Sequence, residues 1–261
     1  MSAASLLAGR HALITGAGRG IGACIARTLA GHGAKLTLVG RTAASLDSVA
    51  KELEATGAEV HRVTADVSRR DSLDAAFDSA RTRFGTVNIL VNNAGQASSS
   101  PITKRDDQHW NNMLAVNLSG TYFGMQAALP EMLKNNFGRI VNIASTAGMT
   151  GYAYVAAYCA AKHGVVGLTR AVAREVAMRN ITVNAVCPGY TDTDIVREAA
   201  TKISKVTGRT QEEAVQVMAK TNPQGRLVKS EEVANAVAWL CVPGSESVTG
   251  QSIIVAGGEL M

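Results

Sequence analysis

Short apolar segments alternate along the chain with longer segments of helical periodicity. The short ones are rich in β-branched residues, and several are apolar without alternation, which is typical of strands buried on both faces. They cover residues 11–15, 35–39, 59–64, 88–92, 139–143, 181–186 and 251–255. This pattern predicts seven strands.

The segments between the strands carry apolar residues at spacings of three and four, as amphipathic helices do. They cover residues 20–31, 43–56, 70–84, 108–134, 153–178 and 230–241. Strict alternation of strand and helix predicts right-handed crossovers and a mostly parallel sheet with helices on both faces. We therefore expect an α/β fold: a doubly wound, Rossmann-type three-layer sandwich formed by residues 1–261 as a single domain.

One region interrupts this alternation. Residues 191–229 are polar and carry one helical segment of their own around 211–220. Long connections of this kind commonly form lids, and we expect a lid here. Residues 68–71, Ser-Arg-Arg-Asp, resemble a capping box and predict the start of the third helix.

Composition restricts the class of protein further. The 261 residues are 46 % hydrophobic, which is enough for one buried core, and the net charge of +5 is spread along the chain rather than clustered. This distribution favours an ordinary mixed surface over a nucleic-acid site. The four cysteines form no CxxC pair, and no stretch of 18 apolar residues or signal peptide is visible, so we expect a cytoplasmic protein without a membrane span.

A glycine-rich turn, TGAGRGIG, separates the first predicted strand from the first helix. It contains Gly16, Arg19, Gly20, Ile21 and Gly22. Such a turn exposes backbone N–H groups at a helix N-terminus, where the helix dipole favours the pyrophosphate of a dinucleotide. A tight turn that binds nothing is the alternative.

The end of the second strand indicates which dinucleotide is preferred. NAD-binding sites place a carboxylate there to hold the ribose 2′-hydroxyl, whereas this chain has Arg41. Arg41 and Arg19 can clamp a 2′-phosphate, because a guanidinium offers a planar fork of donors. The sequence therefore predicts NADP(H), preferred over NAD(H), unless both arginines are merely solvated.

Three polar residues and one lysine are candidates for catalysis. Tyr158 and Lys162 lie four residues apart on one predicted helix face, where an ammonium would lower the pKa of a phenol. Ser145 follows the fifth strand, at the edge where ligands bind to parallel sheets. Asn117 lies within a predicted helix, where Asn is unfavourable and needs a reason, such as holding a water in a proton path.

From HALITGAGRGIG to VTGQSIIVAGG, the chain resembles the single-domain short-chain dehydrogenase/reductase family. The resemblance implies an NAD(P)-binding domain and an Asn-Ser-Tyr-Lys tetrad at Asn117, Ser145, Tyr158 and Lys162. By resemblance, Tyr158 is the general acid in reduction and the base in oxidation, and Lys162 lowers its pKa and binds the nicotinamide ribose. Ser145 orients the substrate oxygen, and Asn117 holds a relay water.

The resemblance also implies further cofactor contacts, and the chain departs from the family near its end. The matching positions are Asp66 and Val67 beside the adenine, Asn93, Ala94 and Gly95 in an NNAG motif, and Pro188, Gly189, Thr191 and Thr193 in a PGxxxT loop beside the nicotinamide. Residues 255–258 read VAGG where the family often has VDGG, which leaves the C-terminal contacts open.

The expected reaction interconverts a ketone and a secondary alcohol by hydride transfer, and the segments GRIVNIAST and ITVNAVCPG are most similar to ketoacyl and polyketide ketoreductases. The expected partner is a small carbonyl or alcohol substrate, with an acyl thioester as one form. A dehydrogenase of a small or cyclic secondary alcohol, 3-hydroxy acid or hydroxyacyl-CoA is the alternative, and a non-catalytic dinucleotide-binding scaffold is another. No metal is expected. By resemblance, the two long helices and the last strand form a homotetramer.

Overall fold

A computed structural model describes residues 5–104 and 106–260, and its strands form one parallel sheet in the order β3-β2-β1-β4-β5-β6-β7. The strands are β1 His11–Thr15, β2 Lys35–Gly40, β3 Val60–Thr64, β4 Ile89–Asn92, β5 Gly138–Ile143, β6 Ile181–Pro188 and β7 Ser252–Val255. All seven predicted strands are present, and the expected doubly wound sandwich is confirmed.

Nine α-helices lie within the described residues. They are α1 Gly20–Gly31, α2 Ala43–Glu54, α3 Arg70–Phe84, α4 Asp107–Leu114, α5 Gly120–Lys134, α6 Ala156–Glu175, α7 Asp194–Thr207, α8 Gln211–Ala219 and α9 Ser230–Cys241. The boundaries of α1, α3 and α9 are those predicted. The predicted helix at 153–178 is shorter at both ends.

The predicted long helix at 108–134 is interrupted. A π-helical turn, Ala115–Ser119, separates α4 from α5. Periodicity cannot reveal one extra residue in a turn, because apolar side chains resume their spacing on either side. The interruption places Asn117 at a π-turn, a feature that is frequent at functional sites.

The predicted lid contains two helices rather than one. Helix α7 ends at Gly208 in the left-handed conformation, φ 72°, and α8 begins with a capping box between Thr210 and Glu213. A parallel bridge between Thr191 and Val228 joins the two ends of the lid at its base. Residues 191–229 therefore leave the sheet and return to it at one place.

Two apolar clusters cover the two faces of the sheet. One packs α1, α2 and α9 against β1, β2 and β4, and includes Ile14, Ile25 and Val237; the other includes Leu13, Phe77 and Ile140. Adjacent residues of β1 thus face opposite layers, as the unbroken apolar run predicts. No described helix is long and apolar enough to cross a membrane.

Candidate active site

A cleft of about 900 Å³ opens at the carboxyl ends of the strands. It includes the ends of β1 and β4, where the strand order reverses, which is the place where open α/β sheets bind ligands. Every residue predicted for the site lines this cleft: Gly16, Arg19, Gly20, Ile21, Gly22, Arg41, Asp66, Val67, Asn93, Ala94, Gly95, Asn117, Ser145, Tyr158, Lys162, Pro188, Gly189, Thr191 and Thr193.

The glycine-rich turn has no room for side chains. A Cβ on Gly22 would lie 2.2 Å from the carbonyl oxygen of Gly16, and Gly16 itself has a φ of 67°. The Asn93 side-chain amide donates to the carbonyl oxygens of Thr15, at 2.9 Å, and Gly16, at 3.2 Å, and so holds the turn in place. This bare backbone at the start of α1 fits a pyrophosphate.

The two predicted phosphate-binding arginines are in different environments. The Arg19 guanidinium pairs with two carboxylates of the lid helix α7, Asp194 at 3.3 Å and Glu198 at 3.8 Å. Arg41 is exposed at the end of the cleft beside β2 and has no ion pair with a described carboxylate. Arg41 is therefore the freer of the two for an anionic ligand.

Asp66 is fixed by the residue that was predicted to cap α3. Ser68 donates to the Asp66 carboxylate from both its backbone N–H, at 2.9 Å, and its hydroxyl, at 2.7 Å. Burial works against the carboxylate, but these bonds and the nearby Arg41 hold the pKa of Asp66 below its usual value. The predicted capping box at 68–71 is wrong, since the N-cap is Arg69 without a side-chain bond.

Ser145 and Tyr158 meet at the centre of the cleft. Ser145 lies two residues after the end of β5 and caps a 3₁₀ turn, where its hydroxyl accepts from the N–H of Ala147 at 3.1 Å. Tyr158 lies in the first turn of α6. Burial raises the pKa of the Tyr158 phenol to about 12, although a hydrogen bond with Ser145 acts in the opposite direction. Tyr158 is therefore a protonated phenol at neutral pH.

Lys162 lies one helical turn after Tyr158 and is only 4 % exposed. Its ammonium donates to the carbonyl oxygen of Ile143 at 2.7 Å and lies 5.6 Å from the centre of the Tyr158 ring. Burial lowers the pKa of Lys162 to about 8. Burial has the largest effect on the Tyr158 pKa in this structure, and the lowering expected from Lys162 stays a prediction.

A close backbone contact sets the spacing between the 3₁₀ turn and α6. A Cβ on Gly148 would lie 2.8 Å from the carbonyl oxygen of Lys162. Only glycine allows this approach, which brings the turn that carries Ser145 against the helix that carries Tyr158 and Lys162.

Asn117 is buried, and its side chain binds protein groups. Its amide donates to the carbonyl oxygens of Gln96 and Met113, both at 3.0 Å, and its Oδ1 accepts from the N–H of Gln96 at 3.1 Å. A Cβ on Gly95 would lie 2.9 Å from this Oδ1 and 3.6 Å from the Lys162 ammonium, so the two side chains are neighbours. Asn117 thus fastens the loop after β4 beside Lys162, and both of its amide hydrogens are taken.

The two threonines after β6 are held by hydrogen bonds to backbone carbonyls two residues away. The Thr191 hydroxyl donates to the carbonyl oxygen of Gly189 at 3.0 Å, and the Thr193 hydroxyl donates to that of Thr191 at 3.2 Å. A Cβ on Gly20 would lie 3.4 Å from Thr193. The start of the lid therefore contacts the glycine-rich turn across the cleft.

Several lining residues were not predicted. Thr42 and Ser45 lie beside Arg41, while Ser98, Ser99, Tyr152 and Met218 surround the opposite end. A signal existed for Thr42 and Ser45, since small hydroxyl residues begin the helix directly after Arg41. The others come from loops and the lid, whose approach to the sheet is a tertiary property.

The fold and this cleft are those of a dinucleotide-binding oxidoreductase, and Ser145, Tyr158 and Lys162 line the cleft together. The family model for short chain dehydrogenase matches residues 10–204, and the chain belongs to this family.

The relatives are similar over nearly their full lengths. The chain is 37 % identical over 253 residues to the 3-oxoacyl-acyl-carrier-protein reductase of Escherichia coli, covering 97 % of this chain and 98 % of that one. A crystal structure of a single-residue variant of actinorhodin polyketide ketoreductase with NADPH has a TM-score of 0.93 at 38 % identity, covering 98 % and 99 %. A structure of levodione reductase has a TM-score of 0.92 at 30 % identity, covering 97 % and 98 %.

Proposed function

We propose that the protein is an NADP(H)-dependent ketoreductase that interconverts a ketone and a secondary alcohol, with a 3-oxoacyl-type substrate. The observation that carries the proposal is the meeting of Ser145, Tyr158 and Lys162 in one cleft with a glycine-rich dinucleotide turn. The names of the relatives from Escherichia coli and of the actinorhodin enzyme support the substrate class and the use of NADPH.

Each side chain of the centre has its own part in the reaction. When bound, NADP(H) supplies or accepts the hydride. Ser145 and Tyr158 present hydroxyl groups to the substrate oxygen, and Tyr158 delivers the proton in reduction, since its pKa of about 12 keeps it protonated. Lys162 places a positive charge beside Tyr158 that stabilises the phenolate left behind.

Selection between NADP(H) and NAD(H) is assigned to the end of β2. Arg41 is exposed and makes no ion pair with a described carboxylate, although its charge acts on Asp66, and Thr42 adds a hydroxyl beside it. A 2′-phosphate placed there would be attracted, whereas no carboxylate follows the strand to hold a ribose hydroxyl. Arg19 is assigned a secondary role, because α7 already holds its charge.

A cyclic ketone is a second candidate for the substrate. The rings of Tyr152 and Tyr190 form an edge-to-face pair, with centroids 6.4 Å apart, at the substrate end of the cleft. Such walls pack well against a ring, and one relative is named for levodione. A non-catalytic scaffold is disfavoured, because a scaffold has no need of a buried lysine and an aligned phenol.

The assembly and its location are also proposals. Helices α4 and α5 expose Trp110 and Tyr122, at 45 % and 40 %, and such surfaces support the expected homotetramer. The four cysteines are free and buried, which agrees with a reducing cytoplasmic compartment.

The test is reduction of a ketone panel with NADPH, followed by the loss of nicotinamide absorbance. The panel contains a linear β-keto thioester and a cyclic ketone of similar size. We expect turnover by the wild type and a loss of at least about a thousandfold in Tyr158→Phe, which removes the proton donor. Unchanged turnover in that variant would exclude Tyr158 from the reaction, and an inactive wild type with bound NADPH would favour the scaffold.

A further inference from the structure

The substrate end of the cleft contains another phenol, Tyr152, besides the groups assigned to proton transfer and orientation. Tyr152 lines the cleft together with Ser145 and Tyr158. Its hydroxyl lies close to Thr146, the residue directly after Ser145. Tyr152 is therefore close to the place where the substrate carbonyl must lie, and a free hydroxyl there would be a competing donor.

The Tyr152 hydroxyl binds the carboxylate of Glu259, near the end of the chain. Tyr152 donates a hydrogen bond to Oε1 of Glu259. A phenol has one O–H, so this bond uses its whole donor capacity. Burial and the Glu259 contact both raise the pKa of Tyr152, so the phenol keeps the proton that it shares with the carboxylate.

Glu259 lies behind the cleft wall and is held in place. Its backbone N–H donates to the carbonyl oxygen of Ala256 at 3.2 Å. Its Oε2 is buried, has no hydrogen-bond partner among the described residues, and lies against Gly189, where a Cβ would be 2.7 Å away. Glu259 thus connects the turn after β7 with the loop after β6 and with Tyr152.

Fold stability does not account for this arrangement. One oxygen of the half-buried Glu259 side chain is buried without a donor, and such an oxygen costs free energy. A function in the cleft is the better reason for the carboxylate.

We propose that Glu259 is a positioning residue: it takes up the O–H of Tyr152, so that Tyr152 presents its ring to the substrate and Ser145 and Tyr158 are the hydroxyl donors that face the carbonyl. The inference rests on the proposed ketoreductase function. Without Glu259, the Tyr152 hydroxyl turns to the substrate oxygen and holds a fraction of the bound ketone away from Tyr158.

Non-productive binding has a kinetic signature that lost packing does not share. It lowers kcat and KM by the same factor and leaves kcat/KM unchanged, because the non-productive enzyme–substrate complex reduces only the fraction of bound substrate that can react. A competing hydrogen bond predicts about a three- to tenfold decrease in both constants. A disordered cleft would instead raise KM and lower kcat/KM.

The experiment compares Glu259→Leu, which removes the acceptor and fills the space, with Glu259→Gln, whose amide oxygen still accepts from Tyr152. Steady-state constants are measured for NADPH-dependent reduction of the better ketone of the panel. We expect parallel decreases of kcat and KM in Glu259→Leu and values within about twofold of wild type in Glu259→Gln. A raised KM with lower kcat/KM in Glu259→Leu would overturn the inference.

The Tyr152→Phe background supplies the decisive control. We expect Glu259→Leu to lower kcat in the presence of Tyr152 and to have no effect on kcat when combined with Tyr152→Phe, since no hydroxyl is left to compete. An equal loss in both backgrounds would overturn the inference while the proposed reaction stands. If circular dichroism shows that Glu259→Leu does not fold, Glu259→Ala takes its place. If neither variant folds, Glu259→Gln is compared with wild type. A kcat of Glu259→Gln reduced more than about fivefold would then overturn the inference.

Discussion

Tyr158 and Lys162, the proposed proton donor and its neighbour, are both buried at an energetic cost. Burial disfavours the charged form of each, which raises the pKa of the phenol and lowers that of the ammonium. Tyr158 therefore stays protonated across the working range, while Lys162 loses its charge near pH 8. We expect reduction to slow as pH rises through about 8, with Lys162 as the titrating group.

Lys162→Met is expected to abolish turnover and to stabilise the fold. Because the folded pKa of about 8 lies below the ordinary 10.5, the unfolded chain binds more protons between these values, and wild-type stability rises with pH there. Below pH 8 the full cost of the buried charge is present, and removing it should raise the free energy of unfolding by about 1–3 kcal/mol.

Chemical denaturation at pH 7 and pH 10 measures this effect. The gain in Lys162→Met should be largest at pH 7 and smaller at pH 10, and the exposed Lys51→Met should show no such pH dependence. A less stable Lys162→Met at pH 7 would mean that the bond to the Ile143 carbonyl outweighs the cost of burial.

Arg41→Ala and Arg19→Ala form a matched pair for cofactor selection. Arg41 makes no ion pair with a described carboxylate, whereas Arg19 is paired with Asp194 and Glu198. We expect Arg41→Ala to weaken NADPH binding by about 1–3 kcal/mol, the worth of a charged hydrogen bond, and to leave NADH binding nearly unchanged. Arg19→Ala should lose less NADPH affinity. Titration calorimetry measures the affinity of each variant for both cofactors. Equal losses of NADPH affinity and NADH affinity in Arg41→Ala would contradict the assignment of Arg41 to the 2′-phosphate.

At the scale of elements, the π-helical turn between α4 and α5 is the feature on which the cleft depends. It buries Asn117, whose three hydrogen bonds reach Gln96 and Met113. These bonds connect a helix to the loop after β4, which lines the cleft beside Lys162. The turn thus positions a loop that has no regular structure of its own.

Asn117→Ala is expected to lower the free energy of unfolding by about 2–4 kcal/mol, because it removes a buried amide that binds the backbone of half-buried Gln96 and of buried Met113. The exposed Asn111→Ala on α4 is the control and should change little. Hydrogen exchange at the amide of Gln96 should quicken in Asn117→Ala alone. Unchanged exchange would show that the loop is held by other contacts.

For the whole molecule, the open question is assembly. Trp110 and Tyr122 lie on the neighbouring helices α4 and α5 and are exposed, and large exposed aromatic side chains commonly mark interfaces. We expect light scattering to give four times 27.2 kDa, and Trp110→Glu to lower the mass. A monomeric wild type would exclude the tetramer.

The sequence by itself determined the elements, their order and the chemistry. Periods of two and 3.6 are local properties of neighbouring residues, and motif residues at the ends of parallel strands must meet at one edge of the sheet. For that reason Gly16 and Ser145 could be placed at one edge without coordinates, whereas the resemblance to the short-chain dehydrogenase/reductase family implied that Tyr158 and Lys162 join them. The NADP preference followed in the same way from the end of one strand.

Only the tertiary structure decided the environment of those groups. The π-turn under Asn117, the pairing of Arg19 with α7, the raised pKa of Tyr158 and the contact between Tyr152 and Glu259 all depend on segments distant in sequence. Burial and long-range hydrogen bonds arise from packing, and no local pattern encodes which distant segment will supply the partner.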